Sequence, residues 1–229
     1  RLSAKSCNDV LGLFRKILND AVRWGFIERN PADRVQKLRV ADRDYVFWCP
    51  EEAKQYLGYW QSREVVNRVV WASFVALYTG LRRGEVIALK WDSFDKDSNM
   101  LTIKSTYCRI QKKVKHETKS KKIRHVPVCK ALNKILDELK GKTLSSGFVC
   151  PFFHPDLYNK EFRRASTEAG VKEIRFQDLR HTFASNFLMG GGNIYDLQKI
   201  LGHSTIQMTE RYLHLVPSHL KGKTEVLGF

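Results

Sequence analysis

Apolar positions recur along this chain with two different periods, and the changes of period mark out its elements. Val10, Leu11, Leu13, Phe14, Ile17, Leu18, Ala21, Val22 and Phe26 keep a stripe at helical spacing. Gly25 interrupts the stripe near its end, and Asn30-Pro31 opens a short turn. One helix does not bury such a stripe alone, so this opening is read as the end of a helical domain whose earlier part is missing. Residues 37–44 are charged and unpatterned, as in a linker. A second domain is expected from Tyr45. Pro50-Glu51-Glu52 predicts a helix start, with proline at the first position and acids at the positive end of the dipole. Val65 to Tyr78 reads as a buried helix stopped at Gly80, and Arg83 to Leu89 as a short one after it. The period then shortens to two: Leu101 and Ile103 alternate with polar residues, and Ile123 to Val128 follows, predicting a small antiparallel sheet. Helical spacing returns over Leu132 to Leu139. Phe148 to Phe153 reads as extended, and Asp156 to Ala169 as an amphipathic helix ending at Gly170. From Gln177 to Tyr212, three short helices are separated by glycine turns. The fold class expected is mainly α with a small antiparallel β-sheet (α+β).

Composition adds a partner. The 229 residues hold 40 Lys and Arg against 24 Asp and Glu, a formal net charge of +16. So strong a field favours a polyanion, with nucleic acid ahead of a membrane surface. No apolar run is long enough to span a membrane, and Arg1 begins no signal peptide. The five cysteines are scattered without a CxxC pair, and the histidines lack metal spacing, so free thiols and no metal site are expected.

The charge is densest from Arg109 to His125, where Lys112, Lys113, Lys115, Lys119, Lys121, Lys122 and Arg124 face one acid, Glu117. On a hairpin this run makes a basic finger, suited to a phosphate backbone through counterion release. Taken singly, the other candidates have bland readings. Arg82 can pair with Glu85, His203 can cap a helix, and Tyr212 can be a core tyrosine. Together they suggest phosphate chemistry. Arginine grips a phosphate bidentately, histidine donates to its oxygens, and a tyrosine hydroxyl can attack phosphorus.

Thr79-Gly80-Leu81-Arg82, Thr118-Lys119 ahead of Arg124 and Val126-Pro127, Asp178-Leu179-Arg180-His181-Thr182, Leu201-Gly202-His203 and Thr209-x-x-Tyr212 occur in one order, with nine positions from His203 to Tyr212. This set resembles the tyrosine recombinases of the phage integrase type, over about Tyr45 to His214. The resemblance implies a catalytic domain at 45–229, preceded at 1–44 by the end of a helical core-binding, DNA-binding domain and its linker. It implies that Arg82 and Arg180 clamp the scissile phosphate, that Lys119 protonates the leaving 5′ oxygen, that His203 bonds the phosphate, and that Tyr212 forms a 3′-phosphotyrosyl link. Lys121, Lys122 and Arg124 are expected to bind DNA. Gln177 stands where the family usually has histidine; it can donate to phosphate but exchanges no proton near neutral pH. His181 is expected to support the fold rather than react. No cofactor is implied. The partners implied are double-stranded DNA and three further copies, a homo-tetramer on two synapsed duplexes from a free monomer, in the bacterial cytoplasm on the nucleoid. The apolar tail beyond Pro217 is expected to pack on a neighbouring protomer. Rival readings are a type IB topoisomerase and a non-catalytic DNA-binding regulator that uses Leu197 to Leu213 as a helix-turn-helix.

Overall fold

The computed structural model describes residues 2–40, 45–63, 67–108, 110–115, 123–150 and 157–213. The chain divides into two compact units, Arg1–Asp44 and Tyr45–Phe229.

In the first unit, helix α1 spans Ala4–Arg23 and is capped by Ser3, whose Oγ accepts from the Ser6 amide at 3.1 Å. A single 3₁₀ turn at Pro31–Arg34 folds back on it. Asn30 makes the join. Its Oδ1 accepts from the Ala32 amide at 2.9 Å, and its Nδ2 donates to Asn19 Oδ1 at 2.7 Å. So short a turn cannot cover a twenty-residue helix, and α1 has no buried residue. Leu13 and Phe14, in the middle of the apolar stripe, are 62 % and 54 % exposed.

The second unit is built around one helix. Helix α2 (Pro50–Gln61) starts at its proline, with Glu52 Oε2 accepting from the Cys49 amide at 2.9 Å. Helix α3 (Arg68–Thr79) begins at Asn67, whose Oδ1 accepts from the amides of Val69 and Val70. All of α3 except Arg68 and Tyr78 is buried. A helix that is apolar all round needs neighbours on every side. They are α2, α4 (Arg83–Ile87), α5 (Lys130–Thr143), α6 (Leu157–Glu168) and α7 (Leu179–Met189). Two short helices follow, α8 (Ile194–Leu201) and α9 (Gln207–Glu210).

The expected small sheet is two antiparallel sheets. Strands β1 (Phe94–Asp95), β2 (Met100–Ile103) and β5 (Arg124–Pro127) form one, in the order β1-β2-β5. Leu101 lies opposite Phe94 on one side and Val126 on the other. Strands β3 (Thr106–Cys108) and β4 (Lys113–Lys115) pair separately as a hairpin where the basic run begins. The core-facing alternation of β2 matches that of β5, whereas β3 and β4 have no fully buried position. Burial therefore selects the β2–β5 pairing across the hairpin. Among the described residues no helix is long and apolar enough to cross a membrane.

Gly80 ends α3 in the left-handed region at φ +64°. A Cβ there would lie 2.5 Å from Phe183 Cδ1 and 2.8 Å from Leu201 Cδ2. Backbone strain and overpacking thus add, and Gly80→Ala is expected to cost roughly 2–4 kcal/mol. Denaturant melts of both forms measure it.

Candidate active site

Three chain turns converge beyond the end of α3. The first carries Arg82 and Glu85, because Gly80 reverses the chain and α4 starts immediately after. The Glu85 carboxylate accepts from the Arg82 amide at 2.8 Å and from Arg82 Nη1 at 3.0 Å. It also holds Arg124 of β5, with Nη1 at 3.1 Å and Nη2 at 2.7 Å. Arg124 completes its set by donating Nε to Ile200 O at 2.7 Å. Burial pushes the Glu85 carboxyl up in pKa, but Arg124 and then Arg82 outweigh it and hold the group below its ordinary value. Glu85 is therefore an anion inside the protein with a cation on either side.

The second turn carries Arg180, in the first turn of α7. Its Nη1 donates to Gly80 O at 2.9 Å and its Nη2 to Leu201 O at 2.7 Å. These carbonyls end α3 and α8, where helices leave acceptors unpaired and carry partial negative charge. Arg180 is 5 % exposed. Burial, then the charge of Arg82, weakens its hold on its proton, yet at about 9 it remains a cation at neutral pH.

The third turn runs from α8 through α9. Gly202 ends α8 at φ +67°, and a Cβ there would meet Arg124 Cδ at 2.8 Å, so the chain passes directly over that guanidinium's stem. His203 follows, half-buried, with Nδ1 2.8 Å from Thr209 Oγ1. Burial, then Arg180 and Arg82, lowers its pKa to about 3, so its ring is neutral. Tyr212 is buried with Ala184, Leu188, Leu197 and Leu201. Its hydroxyl lies 2.8 Å from His181 Nδ1. Burial pushes that hydroxyl up to about 12, against the opposing pull of Arg180.

Gln177 sits exposed on a 3₁₀ turn at Phe176–Asp178. Its Oε1 accepts from the Arg83 amide at 3.3 Å, which leaves its amide NH₂ for another acceptor. The geometry thus brings Arg82, Gln177, Arg180, His203 and Tyr212 to one region, where the charges of the buried Arg180 and the partly exposed Arg82 oppose one another and both favour the tyrosinate. Lys119, Lys121 and Lys122 lie outside the described residues, as does the tail from His214 onward. Arg124 is placed differently from the expected DNA-facing position. It is 7 % exposed, and its guanidinium is engaged with Glu85 and Ile200 O, so it turns inward.

Sequence reasoning saw one of the two partners of Glu85 and missed Tyr45. Glu85 was visible only by its i,i+3 spacing from Arg82; its bond to Arg124 spans 39 residues. Tyr45 carries no motif. Trp48 places it: that indole is fully buried, its Nε1 donates to Lys172 O at 2.7 Å, and its amide donates to Thr182 Oγ1 of α7. Tyr45 then stacks on His181, with ring centroids 4.3 Å apart. His181, expected to support the fold, faces the Tyr212 hydroxyl with its Nδ1. The helix-turn-helix alternative loses its second helix, because α9 is a single turn.

Residues 50–219 match the model of the phage integrase family. The integrase of Escherichia phage 186 is 32 % identical over 230 residues, covering 96 % of this chain and 59 % of that protein. The chain thus spans about three-fifths of that relative's length. The catalytic domain of bacteriophage HP1 integrase is 30 % identical, with a TM-score of 0.57 over 80 % of this chain and 95 % of that one. The Tn1549 transposon integrase, solved in complex with transposon right end DNA, superposes with a TM-score of 0.80 over 100 % of this chain and 81 % of that one. At 21 % identity, that is a likeness of fold.

Proposed function

The chain belongs to the phage integrase family, and from that membership we propose that it cleaves and rejoins DNA at a specific site through a 3′-phosphotyrosyl intermediate. The observation that carries this reading is the meeting of Arg180, whose guanidinium bridges the carbonyl ends of α3 and α8, with the Tyr212 hydroxyl, which lies 2.8 Å from the neighbouring His181 of the same helix. In this reading the two guanidiniums bind the non-bridging oxygens of the scissile phosphate and stabilise the charge that grows there in the transition state. His203, neutral, donates a hydrogen bond to the same phosphate, and Gln177 donates from its free amide. Tyr212 attacks phosphorus, and Lys119 protonates the departing 5′ oxygen. The phosphotyrosyl bond conserves the energy of the broken phosphodiester, so rejoining needs no nucleotide hydrolysis. Lys121 and Lys122 grip the DNA backbone from the basic run. Arg124 acts from inside by holding Glu85 against Arg82.

The biological setting is integration and excision of a phage or another mobile element, by four protomers on two synapsed duplexes, in the bacterial cytoplasm. Residues 1–44 belong to a second, DNA-binding domain. The test is covalent trapping. A nicked duplex, made from the flanking-DNA fragment the protein binds most tightly, should leave a protease-sensitive adduct; no adduct would leave only a DNA-binding role. Exchange of strands between two labelled duplexes separates recombination from simple relaxation of supercoils.

Lys119→Ala is expected to slow cleavage about 10²- to 10⁴-fold while sparing DNA binding. A substrate with sulfur at the 5′-bridging position leaves without a proton and should recover the rate. If sulfur brings no recovery, the acid is another residue.

A further inference from the structure

The imidazole that faces the nucleophile is four residues away from where the family usually places one. Gln177 fills the usual place, and its Oε1 is turned to the Arg83 amide. His181 Nδ1 lies 2.8 Å from the Tyr212 hydroxyl, within the distance at which a base takes a proton directly. The ring is held there. Tyr45 stacks on it, and the Tyr45 hydroxyl accepts from Arg211 Nη1 at 2.7 Å, next in the chain to the tyrosine itself. We propose that His181 is the general base of the cleavage step, accepting the Tyr212 proton in place of the residue that Gln177 replaces. This inference rests on the phosphotyrosyl reading above.

The step balances. The Oη–H proton passes to His181 Nδ1, in the ring tautomer that carries its own proton on Nε2. An Oη electron pair forms the bond to phosphorus. The P–O5′ bond breaks, and its electron pair leaves with the 5′ oxygen, which takes a proton from Lys119. In rejoining, the 5′ hydroxyl attacks phosphorus and gives its proton back to Lys119, the P–Oη bond breaks, and the imidazolium returns its proton to the departing Oη.

The surroundings keep the ring ready to accept. Burial is the largest influence and disfavours the imidazolium. Asp178, one turn earlier on the chain, favours it, while Arg180, Arg211 and Arg175 oppose it; the net value falls to about 4. At neutral pH the lone pair on the ring is therefore free. A weak base gives limited help in a resting protein. Its basicity rises when a phosphate gathers negative charge beside it, which happens as Tyr212 attacks.

His181→Asn tests this, because asparagine can keep a polar atom near Nδ1 and accept a hydrogen bond but cannot take a proton near neutral pH. His181→Gln is the second variant if asparagine fails to fold, as judged by thermal melts and DNA binding. With the trapping duplex at pH 7, the variant is expected to bind as the wild type does and form adduct about 10²- to 10⁴-fold more slowly. Its rate should then climb about tenfold per pH unit, because tyrosinate must form unaided, while the wild type stays nearly flat. An asparagine variant that forms adduct as fast as the wild type overturns the proposal. A faster one also overturns it and makes the contact a restraint on Tyr212. A slow variant with no added pH dependence reduces His181 to a purely structural part. No adduct with the wild type overturns both this inference and the function it rests on.

Discussion

Tyr212→Phe is expected to bind the nicked duplex with wild-type affinity and to form no covalent adduct. The substitution removes one oxygen. The ring keeps its place among Ala184, Leu188, Leu197 and Leu201, and the hydrogen bond of that oxygen with His181 is lost. A lost intramolecular hydrogen bond costs about 1 kcal/mol, small against a total stability of about 5–15 kcal/mol. Folding and binding therefore survive, and the loss is confined to chemistry. Among the described residues a nearby substitute is Tyr45, whose ring lies 5.8 Å from that of Tyr212. If the phenylalanine variant still yields a protease-sensitive adduct, Tyr45 is the first residue to change with it. An adduct that disappears only in the double variant would move the nucleophile to the start of the second unit.

Glu85→Ala is expected to lower stability by about 3–5 kcal/mol, because it leaves the buried Arg124 without its anion. For a domain of this size that is a fall of about 6–20 °C in melting temperature. On the proposed function the loss also acts on catalysis. Arg82 is partly exposed and is held by the same carboxylate, so without Glu85 its guanidinium is free to leave the geometry that grips phosphate. Acid should reproduce part of the effect in the wild type. Glu85 has a folded pKa below its unfolded value. Its contribution is thus complete above the unfolded value of about 4.3 and is lost as pH falls through the folded value. Stability curves of the two forms should converge at low pH. Parallel curves down to acid unfolding would mean that the carboxylate contributes little as a charge.

The sequence made some features legible because they depend on neighbours in the chain. The start of α2 is written in Pro50-Glu51-Glu52, and the end of α3 in Gly80. The grouping of Arg180, His203 and Tyr212 follows from short helices joined by glycine turns. Helix α5 was read too short, since Leu132 to Leu139 is only its apolar part; Lys130–Thr143 is helical, and the polar ends carry no period. What lay beyond reach was set by distance along the chain. Nothing local distinguishes Arg124 from the lysines before it, yet its partner is a buried acid 39 residues earlier. Tyr45 has no spacing to report its stack on His181, because Trp48 brings it there through bonds to residues 124 and 134 positions away. The stripe on α1 was legible as a stripe, but periodicity does not reveal whether anything covers it.

The sequence separations of the arginine contacts bear on the order of folding. Arg180 reaches a carbonyl 100 residues before it, and Arg124 reaches one 76 residues after it. Loop closure must be paid before contacts of this range form. The guanidiniums therefore cannot be arranged by the early collapse of any one segment. A chain that has formed its helices but not joined the ends of α3 and α8 contains the tyrosine, the histidines and every arginine, and still has no phosphate site. On the proposed function, strand cleavage is thus tied to completion of the fold, and a nascent or partly unfolded copy would cling to DNA by its charge without being able to cut it.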